Sequence, residues 1–151
     1  MLKEEIVKSL NRSVRSVSNC LKLVPMDKLD YKPHEKSFTL KELIEHILGG
    51  EYGFAIGVIT GDWERKAKID TSSVEGMLKA LEDNHQKTLK AIEPLSDDEL
   101  ASKDITTPWG AKAKLGTMLF EASEHTAHHR TQLFWYLKLL DIPVDTGTIY
   151  G

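Results

Sequence analysis

Residues 112–140 read KAKLGTMLFEASEHTAHHRTQLFWYLKLL. Leu115, Met118, Leu119, Ala122, Leu133 and Leu137 recur at the spacing that gathers side chains on one face of an α-helix. No proline interrupts the stretch, and the first to follow it is Pro143 in DIPVD. The pattern predicts one long amphipathic helix. A stripe of that length has to be covered, and what covers it decides the fold.

Three other stretches carry the same period. Residues 2–23 align Leu2, Ile6, Leu10, Val14, Val17 and Leu21, and stop before Pro25, which lacks the backbone donor a continuing helix needs. The second opens in SFTLKELIEHILGGEYGFAIGVI, residues 37–59, where Thr39 and Glu42 have capping-box spacing. Leu40, Leu43, Ile44, Ile47 and Phe54 form its apolar face. Gly49, Gly50, Gly53 and Gly57 weaken this helix by roughly 1 kcal/mol each relative to alanine. Such a row either admits a close neighbour or marks a fraying end. Residues 73–93 align Val74, Leu78, Leu81, Leu89 and Ile92, and end at Pro94. No competing strand pattern and no internal repeat stands out. The expectation is an all-α four-helix bundle, a single domain over residues 1–151.

The connections at 24–38, 61–72 and 94–111 are longer than the two to eight residues usual between antiparallel bundle neighbours. At least one can therefore be a crossover, since twelve extended residues reach up to roughly 40 Å.

Composition narrows the function. Apolar residues make up 40% and charged residues 28% of the chain, and 20 Lys and Arg stand against 23 Asp and Glu for a net charge of −3. That balance, with no basic run, argues against nucleic acid and against an anionic membrane as partners. No apolar run approaches membrane-spanning length, and the charged N-terminal stretch is unlike a signal peptide, so a cytoplasmic protein is expected. The single Cys20 excludes an internal disulfide and Cys-rich zinc patterns, and its position favours burial over reactivity.

The histidines carry the chemistry. His125 and His129 are four apart and project among Met118, Ala122, Leu133 and Tyr136, toward the bundle interior. His128 is rotated by about 100° from its neighbour, nearer the edge of the stripe. Two inward imidazoles at i and i+4 have the spacing of helical zinc sites. A third ligand must come from another helix, and His46, beside the apolar face of the second helix, is the candidate. Three neutral imidazoles suit Zn²⁺, Ni²⁺, Fe²⁺ or Cu²⁺, and three protein ligands with an open position is a catalytic pattern. The Glu-x-x-His pattern of di-iron bundles fails, because Leu43, Ala122 and Thr126 stand three before the histidines. Glu42 and Glu121, four before His46 and His125, read as surface charges or as acceptors behind the ligands. His85 falls where the third helix should be apolar. A boundary histidine is the favoured reading there, a fourth ligand or a substrate contact the others.

Taken together, EHTAHHRTQLFWYLKLLDIPVD, TPWGAKAKLGTMLFEASEH and SFTLKELIEHILGGEYGF resemble the DinB/YfiT-like family of metal-dependent enzymes. The most specific element is the His-x-x-x-His-Arg-x-Gln core of the last helix. Thr131 stands where that family very often has Gly. The resemblance implies a bundle in up-down-down-up order and a mononuclear metal on His46, His125 and His129. It further implies that Arg130 and Gln132 complete the motif around the metal, and that the protein is a homodimer.

Two reactions suit such a site: hydrolysis, and transfer of a low-molecular-weight thiol to a small-molecule substrate. The resemblance favours the second, because characterised members include bacillithiol-dependent S-transferases and a mycothiol-dependent isomerase. The non-enzymatic alternative is a helical stress or interaction protein with a structural metal, for which exposed Trp63, Trp109 and Trp135 would be interface residues. Trp109 in TTPWG equally suits a pocket mouth, and Tyr136, one turn past Gln132, is a candidate pocket residue. Zinc or nickel is the expected ion, with iron or copper as further possibilities.

Overall fold

The computed structural model describes residues 1–151. Its elements are α1 (Leu2–Leu21), α2 (Leu40–Thr60), α3 (Val74–Ile92), α4 (Asp97–Ser102), β1 (Asp104–Thr106), β2 (Lys112–Lys114), α5 (Leu115–Leu139) and α6 (Thr146–Tyr150), with a 3-10 turn at Met26–Lys28. α1, α2, α3 and α5 form a four-helix bundle in which α5 packs against α1 and α2, and α3 packs against the same two helices.

The cross-helix contacts give the directions. Ser9 meets Ser123 and Ser16 meets Arg130, so α1 and α5 run parallel. Tyr136 reaches back to Phe38 while His125 and His129 meet His46, so α5 and α2 are antiparallel. Asn84 and His85 contact Leu48 and Glu51, and Lys87 lies over Tyr52, so α2 and α3 are parallel. Lys3 contacts Glu93 and Asn11 contacts His85, so α1 and α3 are antiparallel. The order is up-down-down-up.

Parallel α2 and α3 need a connection that travels back along the bundle. α2 has 21 residues, about 31 Å of rise, and residues 61–73 reach roughly 45 Å when extended. Buried Asn84 ties this crossover down, its amide donating to the carbonyls of Leu48 (3.0 Å) and Lys68 (2.8 Å). Local signals set the helix starts. Thr39 and Glu42 form the reciprocal capping box, and Ser73 Oγ accepts from Gly76 N. Each such cap contributes about 1 kcal/mol.

Residues 94–111 are not one loop, and the last bundle helix does not begin at Lys112. α4 starts in a second capping box, Ser96 with Glu99, and β1 pairs antiparallel with β2 in the register Asp104–Lys114, Ile105–Ala113, Thr106–Lys112. Each strand has three residues, of which only Ile105 and Ala113 turn inward. That is too short to show an alternating pattern. Gly110, at φ +90°, closes the turn, and buried Thr107 Oγ1 accepts from Ala111 N. No helix is long and apolar enough to cross a membrane.

The interior has two apolar clusters. One is built on Val17, Leu21, Leu43, Ile44, Met77, Leu133 and Leu137, the other on Ile6, Leu10, Val58, Ile92, Leu115 and Leu119. Cys20 lies wholly buried in the first, as expected of a small apolar residue, and burial raises its thiol pKa to about 11. Between the clusters every bundle helix contributes buried polar side chains: Ser13 and Ser16 from α1, Glu51 from α2, Asn84, His85 and Thr88 from α3, and Ser123 and Thr126 from α5. Buried polar groups cost free energy unless paired, so a polar layer at mid-height has to hold itself together by specific contacts.

Candidate metal centre

The histidine cluster lies on the seam between α2 and α5, at the outer edge of that layer and not in the interior: His46 is exposed and His125 and His129 are half-buried. One turn of α5 presents His125 and His129 on the same face, and antiparallel α2 brings His46 opposite them. The Nε2 atom of His46 lies 3.1 Å from Nε2 of His125 and 3.0 Å from Nε2 of His129. The rings are tilted 58–82° to one another, so their Nε2 edges converge while their faces do not stack. One glycine of α2 faces this point, and any side chain there would displace the His125 ring. A Cβ at Gly50 would come within 2.9 Å of His125 Cε1 and 3.2 Å of its Nδ1.

Neutral imidazoles cannot satisfy these contacts among themselves. His129 Nδ1–H donates to Gln132 Oε1 at 2.6 Å, which leaves its Nε2 as an acceptor in the neutral ring. His46 Nε2 faces two nitrogens. If it donates it fully serves one of them, and if it accepts from His125 its contact with His129 sets lone pair against lone pair. A cation at the point of convergence resolves this. Nitrogens about 2.05 Å from an ion stand about 2.9 Å apart at a 90° angle and about 3.3 Å apart at the tetrahedral angle. The observed 3.0 and 3.1 Å fall between these values.

A proton is poorly suited to the role. Burial, then the neighbouring His129, His46 and His128, lowers the pKa of His125 to about 4. Burial and then His129 lower that of His46. All three candidate ligand atoms lie within 4.8 Å of one another, so the donor set fits a single divalent ion.

The remaining candidates fall elsewhere. His128 is exposed. His85 is no part of the cluster. It is 5% exposed, with Nδ1 2.7 Å from Glu51 Oε1 and Nε2 2.8 Å from Asn11 Oδ1, so both ring nitrogens have an oxygen partner within the protein. Glu42 is consumed by the Thr39 cap, which lowers its pKa, and Glu121 is exposed, so neither backs a histidine. Gln132 takes that position for His129. Arg130 points away from the cluster to α1, where its Nη1 donates to Ser16 Oγ at 3.2 Å. Tyr136 donates to the carbonyl of Phe38 and packs edge-on against Tyr31, outside the histidine cleft. Glu51, the buried partner of His85, was not singled out from the sequence, where it reads as one more charge after the Gly49–Gly50 pair.

His46 and His125 open onto a cleft of about 380 Å³, whose other walls are Phe54, Trp63 and Trp109 over a floor of Gly49, Gly50 and Gly53. A larger cavity of about 700 Å³ lies between α1 and the C-terminal end of α3, lined by Val7, Leu89 and Ile92 among others, and no histidine borders it.

Comparison with known proteins bears on the family and the fold. The model of the DinB superfamily matches residues 9–133. The uncharacterized protein YjoA of Bacillus subtilis is 30% identical over 131 residues, 83% of each chain. Its crystal structure matches with a TM-score of 0.74 at 23% identity, covering 93% of this chain and 96% of that one. A DinB-like protein from Bacillus cereus has a TM-score of 0.72 at 18% identity, with 94% and 95% covered. YfiT from Bacillus subtilis, described as a probable metal-dependent hydrolase with an unusual four-helix bundle topology, has a TM-score of 0.70 at 14% identity, with 93% and 89% covered. These structures share the fold.

Proposed function

This chain belongs to the DinB superfamily, and from that footing we propose that it is a metal-dependent enzyme holding one divalent cation on His46, His125 and His129. The observation that carries the reading is the convergence of three Nε2 atoms with no tautomer assignment that pairs them. The ion is zinc or nickel in the first instance, and the same donors accept iron or copper. Bound there, a divalent cation supplies Lewis acidity, polarising an oxygen or sulfur ligand and lowering its pKa.

The protein's own part is to orient and enclose. Gln132 fixes His129 with Nε2 toward His46, where an ion would be held, Gly50 leaves room for the His125 ring, and the cleft leads a substrate to the histidines. The reaction we assign is transfer of a low-molecular-weight thiol to an electrophilic small molecule. A thiol, with a pKa of about 8.5, is far more acidic than water and needs far less help from a neighbouring base. The cleft offers only one carboxylate, Glu45, and it leans back toward Lys41 at 3.7 Å. Hydrolysis is the second reading, supported by the description of YfiT.

The test is elemental analysis of untagged protein beside a His129→Ala variant, followed by assay of the loaded protein with thiols plus an electrophilic reporter, and with esters and amides. Near-stoichiometric metal lost in the variant, with thiol consumption exceeding hydrolysis, is the expected result. Absence of metal after incubation with divalent ions overturns the reading. Hydrolysis without thiol transfer replaces the first reaction by the second.

A further inference from the structure

The cleft beside the histidines has a chemical character of its own. Phe54 from α2, Trp63 from the crossover and Trp109 from the hairpin turn meet on one side of it. Phe54 and Trp63 have centroids 5.8 Å apart at 76°, Trp63 and Trp109 5.1 Å apart at 73°, and Phe54 and Trp109 6.2 Å apart at 37°. A ligand ring held between two aromatic faces needs them parallel and about 7 Å apart, twice a carbon–carbon contact of about 3.5 Å. Trp63 already meets both other rings edge to face, and Phe54 and Trp109 are inclined to each other, not parallel. They make a wall and leave no slot, so a guest can only lie against them.

Three further observations say what kind of guest. Trp109 is 63% exposed although it belongs to this aromatic cluster, and the left-handed Gly110 and the Thr107 hydrogen bond fix the turn that presents it. On the floor, a Cβ at Gly53 would have nothing within 4 Å, so the missing side chain is open space that a ligand can use. Neither Lys nor Arg lines the cleft, and its one acidic residue is Glu45. Phosphorylated, sulfonated or carboxylated bodies would find no counter-charge there. At about 380 Å³ the cleft is at the small end of ligand pockets, enough for a ring and a short arm.

We propose that the substrate handled at this site has a flat, uncharged aromatic or comparably apolar body that packs on the Phe54–Trp63–Trp109 wall over Gly53, with its donor or reactive end at His46 and His125. The proposal rests on the metal reading of the same histidines. It assigns Trp109 and Gly53 a part in substrate selection and gives the hairpin a purpose: it carries Trp109 across the cleft.

The test compares two probes with the same metal-binding group and different bodies, benzohydroxamate and acetohydroxamate. Each is titrated calorimetrically into zinc-loaded wild type, Trp109→Ala and Gly53→Leu, after the metal content of all three is measured. The expected result is benzohydroxamate binding at least tenfold tighter than acetohydroxamate to wild type. That ratio should fall at least fivefold in both variants while metal content and acetohydroxamate affinity stay within twofold. Trp109 is exposed, so its variant keeps the test valid even if Gly53→Leu disturbs α2. A wild-type ratio near one, an unchanged ratio in Trp109→Ala, or no binding of either probe to metal-loaded protein overturns the proposal and leaves the metal reading standing. Failure of the wild type to take up zinc at all removes both.

Discussion

Two histidine-centred clusters occur in one bundle, one inside its buried polar layer and one on the open seam between α2 and α5, and they are built on opposite principles. At His85 each ring nitrogen faces an oxygen, Glu51 on one side and Asn11 on the other, and the ring and its carboxylate partner are almost wholly buried. At His46, His125 and His129 nitrogens face nitrogens, and the rings are only partly covered. In the first set both nitrogens of the histidine have an oxygen partner, so the protein holds that ring by itself. The second has surplus lone pairs on an open cleft, so it calls for a cation. Residue type does not separate a structural histidine from a ligand; the atoms that its nitrogens face do.

If that contrast is right, the two clusters must fail in different ways. The largest effect is expected at His85. His85→Ala leaves the Glu51 carboxylate buried without its partner, and Glu51 Oε2 already has no hydrogen-bond partner. Breaking a buried pair from one side costs ~3–5 kcal/mol. Chemical unfolding of the variant should show that loss, while its metal content per folded molecule stays that of wild type. Loss of metal at unchanged stability would collapse the distinction between the clusters.

A smaller effect sharpens the other side. Gln132 is exposed and touches the cluster only through the 2.6 Å bond from His129 Nδ1–H. Removing the group that orients a ligand histidine typically weakens metal affinity by about 10–100-fold. Competition of Gln132→Ala with a zinc chelator should give a loss in that range with little change in unfolding free energy. Glu in place of Gln restores the acceptor and should recover the affinity. An affinity within twofold of wild type in Gln132→Ala would mean that His129 needs no such support.

Much of this was legible in the chain, for reasons particular residues make plain. The helical stripes set the four bundle helices because one-sided burial imposes their period. The three long connections signalled at least one crossover, because parallel helices cannot be joined by a short turn, but only the packing of α2 beside α3 shows that 61–72 is the one. His46, His125 and His129 could be singled out because two follow the helix repeat and the third lies beside an apolar face. What escaped depended on tertiary partners. Strands of three residues with one inward side chain each are too short to show alternation, so the hairpin carrying Trp109 read as loop. Glu42 had the spacing of both a cap and a carboxylate behind His46, and the cap prevailed because Thr39 is its sequence neighbour. Glu51 acquires meaning only when α3 places His85 against it. Arg130 follows His129 in sequence, yet the roughly 100° step between adjacent helical residues turns it to α1.

The smallest expected effect concerns protons, and its sign follows from burial. In the metal-free protein His125 has a pKa of about 4 against an ordinary 6.5, and that of His46 is lowered in the same direction. Between these limits the unfolded chain binds more protons than the folded one, so the stabilising difference is present above pH 6.5 and is lost as pH falls toward 4. The affected carboxylates, Asp70, Asp83, Asp97, Glu42 and Glu99, have pKa values lowered from 3.8 or 4.5, so they titrate below pH 5. Thermal unfolding of chelator-treated protein between pH 7.5 and 5 therefore reads the histidines apart from the acids. The melting temperature should fall across that interval, and fall less in His125→Ala, where the most strongly shifted ring is gone. Saturating zinc should raise the melting temperature most at pH 7.5, because protons compete with the ion for the same nitrogens. A flat pH profile without metal would mean that the cluster tolerates charge as readily as water does, and the case that its lone pairs await a cation would lose its electrostatic support.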